Sequence, residues 1–282
     1  MQFTYSPYIL PLLFAVVVTV IVAFYVWGRR AVPSAIALAL MAIAIAEWSL
    51  GYALEIASIG LPAKIFWAKL QYIGIVAIPV CWLIFAYKHA KYTNRISLPK
   101  ILALSVIPLV TLAVVATNEQ HGLIWSAMAI SQTPGFPALD LSHGWWFWVI
   151  NIYSHVLLLS GAIIILRVIG KMEGIYRRQT IILVIGLLAP WVGNIIYVLG
   201  LSPVPGMDFT PFAFTITVVA MAWGVFGFHF ADIYPIARDQ VVDGMRDGMI
   251  VLDIHDRIAD MNPAAGLMIG IPAGQAIGKA IN

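Results

Sequence analysis

Charge is what this sequence has least of: Asp, Glu, Lys and Arg make up 10% of its 282 residues, while hydrophobic residues make up 62%. Soluble domains run at about 25% charged and roughly 45–50% apolar. A water-soluble fold of this length has no means of hiding so much apolar surface, so lipid must be the solvent for most of the chain. Cysteine is nearly absent too. Cys81 stands alone inside an apolar run, which excludes an intrachain disulfide and a Cys-based metal site and leaves a buried thiol. No His-Glu-x-x-His or His-x-x-Glu-His pattern, phosphate loop or glycine-rich nucleotide fingerprint occurs. Residues 211–231 contain no lysine to carry a retinal Schiff base, and Asn118-Glu119-Gln120-His121 has no ligand partners nearby. We therefore expect no cofactor, no metal and no catalytic residues in this chain.

What is present is a series of apolar runs. Seven are long enough to cross about 30 Å of hydrocarbon as helices: about 8–27, 33–56, 64–87, 100–117, 145–168, 180–200 and 211–231. Each must be helical, because in lipid every backbone polar group has to be satisfied within its own segment. The first run is no secretory signal, since Arg29 and Arg30 follow it rather than precede it. The net charge of +3 reflects topology rather than nucleic-acid binding. Arg29, Arg30, Lys88, Lys91, Arg95, Lys100, Arg167, Lys171, Arg177 and Arg178 fall in one set of alternate loops; the opposite set offers only Lys64. That bias predicts an N-terminus outside and a C-terminus in the cytoplasm. Trp145, Trp146 and Trp148 fit an outer interface belt. The long external loop, about 118–144, reads equally as a lid over a site or as a segment lying in the interface.

The composition changes after Asp232. Residues 233–246 read as a charged linker helix beyond Pro235. Two short β-rich runs follow, Met249–Asp253 and Arg257–Met261, around a turn at His255-Asp256, and they predict a hairpin. Asn262-Pro263 then reads as a helix start, Asn as cap and Pro at the first position. The 36 residues from 247 to 282 are too few for an independent core. The resulting fold class is an all-α membrane protein, a seven-transmembrane bundle over 1–232, with a linker and a truncated α/β tail.

Polar residues inside a membrane segment cost a few kcal/mol or more, so each needs a reason. The topology puts Glu47, Glu55, Lys69, Tyr72, Asn151, His155 and Asn194 in the outer halves of their helices, and Asp208 at the outer end of the last one. This one-sided polarity suits a cavity open to the exterior, and these eight residues are the candidate ligand contacts. Bland readings stand beside the functional one. Glu55 and Lys69 read first as an ion pair across the turn at Gly60-Leu61-Pro62, and Asn151 and Asn194 as helix–helix hydrogen-bond partners. Asp208 reads as an N-cap, and His155 as a core histidine. Glu47 has no obvious neighbour.

The order and spacing of certain residues resemble a known family: the N-terminal seven-transmembrane region of sensor histidine kinases, followed by a PAS domain. The resemblance rests on Glu47-Trp48, Gly51-Tyr52, Leu54-Glu55, Lys69, Tyr72-Ile73-Gly74, Pro79, Trp82 and Phe85, then on Thr117-Asn118, His121, Leu123 and Trp125. It continues through Tyr153-Ser154, Arg178-Gln179, Pro190, Asn194-Ile195, Gly200-Leu201, Asp208, Thr210-Pro211 and Asp232–Arg238. Asp247-Gly248, Val251–Asp253, Arg257-Ile258 and Asn262–Ala265 look like a PAS opening.

The resemblance implies a multi-pass receptor of the cell membrane, surrounded by lipid and acting as a homodimer. Its ligand would be a small molecule, lipid or peptide, and its output would reach a cytoplasmic response regulator through a kinase. In this reading the last helix passes its displacement through Pro235, Arg238 and Val241 into the PAS unit. The competing reading is a small-molecule transporter or channel with a regulatory PAS tail. One-sided polarity and the lack of an evident inverted repeat argue against it. A membrane enzyme using Glu47 and His155 as acid and base lacks a nucleophile or metal set.

Overall fold

Runs of Leu, Ile, Val and Ala between polar punctuation leave the backbone one option in lipid, and it takes that option. A computed structural model describes residues 2–30, 34–90, 96–130, 139–169, 174–202, 207–222, 242, 244–252, 256–271, 276 and 278–280. The long helices are α1 (Ile9–Gly28), α2 (Ala35–Ala57), α3 (Leu61–Ala90), α4 (Leu98–Ala116), α6 (Trp145–Ile169) and α7 (Gly174–Val198), and α8 (Thr210–Ala222) follows. Six helices among the described residues are long and apolar enough to span a membrane. The expected seventh, 211–231, is described only as far as Ala222. Pro235, Arg238 and Val241 lie outside the described residues.

Helix α2 is the centre of the bundle. Its Ala-rich sequence lets neighbours approach closely, and Leu38, Met41, Ile45 and Trp48 form one core with Val22 and Val26 of α1, Trp82 and Phe85 of α3, Ile165 of α6 and Phe214 of α8. Large apolar residues on α1, α4, α6 and α7 instead remain exposed, among them Phe14, Phe24, Leu109, Ile152, Leu166 and Ile185. A face of that kind belongs against acyl chains.

Three helices contain an internal proline, each of which removes the donor for the carbonyl four residues earlier. Neighbouring helices supply two of the missing donors. Pro108 frees the Leu104 carbonyl, which accepts from the Tyr153 hydroxyl at 2.5 Å. Pro190 frees the Gly186 carbonyl, which accepts from the Thr217 hydroxyl at 2.5 Å. The third, Pro79, leaves the Ile75 carbonyl without its helical donor; both residues line the cavity described below.

The loop that the sequence left as lid or interface segment folds into structure of its own. Helix α5 (Asn118–His121) is followed by the antiparallel strands β1 (Trp125–Ile130) and β2 (Leu139–His143). Asn118 builds the base of this hairpin. Its amide donates to the Trp125 carbonyl at 3.0 Å and accepts from the N–H groups of Ile124 and Trp125 at 2.9 and 3.1 Å. His121 Nδ1 accepts from the Leu123 N–H at 3.0 Å, and Gly122 closes α5 at φ 62°.

Residues 232–282 form a second compact unit. Strands β3 (Ile250–Leu252) and β4 (Ile258–Met261) pair antiparallel, followed by α9 (Pro263–Ile269). Asn262 organises the unit. Its side chain accepts from Met249 and Ala265 N–H at 2.8 and 2.9 Å and donates to the carbonyls of Val242 and Asp247 at 3.0 and 2.9 Å. The Asn-Pro helix start read from the sequence is thus present, with Pro263 at the first turn.

Candidate functional site

The turn joining α2 to α3 fixes one end of the site. Lys64, with 1% of its surface exposed, donates its ammonium to the Glu55 and Ile56 carbonyls at 2.7 and 3.4 Å. These belong to the orphan carbonyls at the end of α2, so the buried lysine acts as a C-terminal cap. The N-terminus pairs with the same turn, Thr4 N–H to Ala57 carbonyl at 2.7 Å and Ile59 N–H to Gln2 carbonyl at 2.9 Å.

With its backbone secured this way, the Glu55 side chain accepts from Gln71 Nε2 at 2.7 Å and from the Leu139 N–H of β2 at 3.3 Å. Gly51 lets Gln71 come this close, because a Cβ there would lie 2.6 Å from Gln71 Cγ. One carboxylate therefore ties together α2, α3 and the hairpin.

Across from it stands the entry to α8. Asp208 accepts from the Thr210 N–H at 2.8 Å, and its own N–H donates to the Tyr52 hydroxyl at 3.1 Å. Asp208 precedes Phe209, whose carbonyl receives the first helical N–H, so the cap position is Phe209 rather than the Asp208 anticipated from the sequence, and the aspartate acts through an Asx turn one residue before it. Burial pushes the Asp208 carboxyl up to about 6, with the Thr210 interactions pulling the other way. The Thr210 hydroxyl approaches that carboxylate but makes no hydrogen bond of good geometry.

Between these anchors lies a cavity of about 160 Å³. Its walls come from α2, α3, both hairpin strands, α6, α7 and the start of α8. Aromatic rings dominate: Tyr72 meets Trp125 edge-on at 5.4 Å, Trp48 meets Phe214 at 5.1 Å, and His143 stacks on Phe147 at 3.7 Å. Burial lowers the His143 pKa. Asn151 Nδ2 donates to Asn194 Oδ1 at 3.4 Å, a long hydrogen bond between α6 and α7, and His155 Nδ1 lies 2.8 Å from the Asn151 carbonyl.

Six of the eight candidate contacts line this cavity: Glu55, Tyr72, Asn151, His155, Asn194 and Asp208. Glu47 and Lys69 do not. Glu47 is wedged between α2 and α3, its Oε2 accepting from the Gly74 N–H at 2.7 Å, with Oε1 buried and unpartnered. The ion pair expected between Glu55 and Lys69 does not form. Lys69 pairs instead with Glu119 of α5 at 2.5 Å and donates to the Ala116 carbonyl at 3.0 Å. The reason is direction: Lys69 faces α4 and α5, while the carboxylate of Glu55 is already occupied by Gln71 and Leu139.

Sequence reasoning missed Tyr52, Gln71, His143, Ser154, Trp191 and Tyr197 on the cavity wall. Gln71 was legible in principle, as an amide in an apolar run two residues from Lys69. His143 was not, because it reaches the wall only through a hairpin whose strands had not been anticipated. Among the described residues no cluster of His, Cys, Asp and Glu has the geometry to hold a metal ion.

Residues 11–235 match the family described as the N-terminal 7TM region of histidine kinase, and residues 237–282 match the PAS fold. No curated protein matches the chain.

Proposed function

Since the chain belongs to the family of N-terminal 7TM regions of histidine kinases, and a PAS-fold region follows, we propose that it is the ligand-responsive input of a two-component sensor kinase. It spans the cytoplasmic membrane seven times, N-terminus outside. An external or membrane-borne ligand occupies the cavity and favours one arrangement of the last helix. A ligand shifts such an equilibrium only by its differential affinity for the two arrangements. The shift passes through Pro235, Arg238 and Val241 to the PAS unit, then to a kinase acting as a homodimer on a response regulator.

One observation supports this reading above the rest. The cavity that receives Glu55 from α2 also receives Asp208, Thr210 and Phe214 from the start of α8, so an occupant touches both the fixed centre of the bundle and the helix that leads out of it.

The test uses the parent kinase in proteoliposomes. Glu55→Gln keeps the size of the side chain but removes its charge and replaces one acceptor oxygen with a donor, so either the Gln71 amide turns over to accept from it or a bond to Gln71 or Leu139 is lost. Basal or stimulated autophosphorylation should change. A variant with unaltered basal activity and unaltered response contradicts the reading, and solute flux through purified protein in liposomes would replace it with transport.

A further inference from the structure

The cavity wall carries two carboxylates, and neither is hydrogen-bonded to a cationic side chain, although the Lys64 ammonium lies close enough to Glu55 to interact with its charge. Glu55 takes its hydrogen bonds from an amide and a backbone N–H, and Asp208 takes its own from a backbone N–H. Among the described residues no Lys or Arg lines the cavity. The nearest lysine, Lys64, gives its ammonium to backbone carbonyls, and Lys69 is engaged with Glu119.

The remaining walls include the rings of Trp48, Tyr52, Tyr72, Trp125, Trp191 and Tyr197. Aromatic rings attract a cation electrostatically, most strongly where water is excluded.

We infer that the cavity accommodates a small organic cation, a protonated amine with an aromatic or apolar body. The inference rests on the sensory reading of this cavity and specifies its ligand class. Other classes fit the wall poorly. An anion would face two carboxylates on a wall that carries no Lys or Arg among the described residues, and a hydrocarbon would bury them without a counter-charge.

Three probes of matched shape test this: 2-amino-1-phenylethanol, which is cationic, the neutral 1-phenyl-1,2-ethanediol, and the anionic mandelate. Each is titrated calorimetrically into the full chain in lipid nanodiscs. The amine should bind about tenfold or more tightly than either analogue, the ratio expected when a cation meets a desolvated aromatic and acidic wall. Asp208→Asn should cut that preference severalfold while leaving diol affinity unchanged; should that variant not fold, Glu55→Gln carries the same expectation.

Equal affinities, tighter mandelate, no binding of any probe, or a preference untouched in a folded carboxylate variant overturns the assignment. If the amine binds selectively yet leaves autophosphorylation of the parent kinase unchanged, the ligand class stands and the sensory role falls.

Discussion

Thr217 and Pro190 should be coupled through a carbonyl that belongs to neither. Pro190 cannot donate to Gly186, and the Thr217 hydroxyl takes its place at 2.5 Å in a contact where Thr217 is fully buried. Gly186 is there because a Cβ would lie 2.8 Å from that of Ala220, so the two helices touch at this level. Replacing Thr217 with Val keeps the shape and deletes the donor, stranding the carbonyl. Interhelical hydrogen bonds in membranes average about 0.6 kcal/mol and reach roughly 1.7, while an orphaned buried acceptor costs about 1–3. We therefore expect Thr217→Val to destabilise the bundle by about 1–2 kcal/mol.

In a Pro190→Ala background the backbone of residue 190 regains its N–H and satisfies Gly186 within α7. The same Thr217→Val change should then cost only about 0.5 kcal/mol, giving a coupling near 1 kcal/mol, or about fivefold in the unfolding equilibrium. The measurement is a double-mutant cycle in mixed detergent micelles, unfolded by titration with a denaturing detergent. Thr217→Ser retains the donor and serves as the control. Equal costs in the two backgrounds, within about 0.3 kcal/mol, would refute the reasoning.

Three further outcomes follow from the site's geometry. Lys64→Met should destabilise by about 1.5–3 kcal/mol, the range for hydrogen bonds to a charged group, because it strips the cap from the Glu55 and Ile56 carbonyls; a change under about 0.5 kcal/mol in the same titration would contradict the capping role. The Lys69 hydrogen bond holds the Glu119 carboxyl below the usual carboxylate range, so its contribution is present above the unfolded pKa and fades as pH falls through the folded one. Because Glu119 is 54% exposed, Glu119→Gln should cost under about 1 kcal/mol, less in high salt, and a larger effect would show the pair to be better shielded than its exposure indicates. Asp208 has the opposite sign: with its pKa raised from 3.8 to about 6 by burial, its contribution is full below 3.8 and is lost as pH rises through 6. Asp208→Asn should flatten the stability profile across that window, and an unchanged slope would contradict the burial argument.

The helical runs were legible because the bilayer imposes them. Every long helix found starts and ends within a few residues of its apolar run, apart from α7, whose helical start at Gly174 lies in the basic segment before the run beginning at 180. Glu55, Tyr72, Asn151 and Asn194, grouped by the sequence reading, line one cavity. Facing was not legible. An α-helix turns by about 100° per residue, and an apolar segment in lipid carries no polar face to fix that rotation. Glu47 and Glu55 are separated by just over two turns of one helix, yet one wedges against Gly74 and the other reaches the cavity. Lys69 and Gln71 differ by two positions and point to different neighbours. The hairpin escaped notice because its strands are short, and Asn118, which nucleates it, reads in sequence as one polar residue among several.

The central claim is that free space between α2, α3, the hairpin and α8 governs output. Ala68 lines that space and is 5% exposed, so Ala68→Phe fills the cavity with a side chain the wall already resembles in character. The decisive measurement is autophosphorylation of the parent kinase carrying Ala68→Phe, across a range of stimulus, beside a lipid-facing control such as Leu109→Phe. The account predicts that filling the cavity fixes output at one level, deaf to stimulus, while the control responds normally. A folded Ala68→Phe kinase with the full response of the wild type would contradict it.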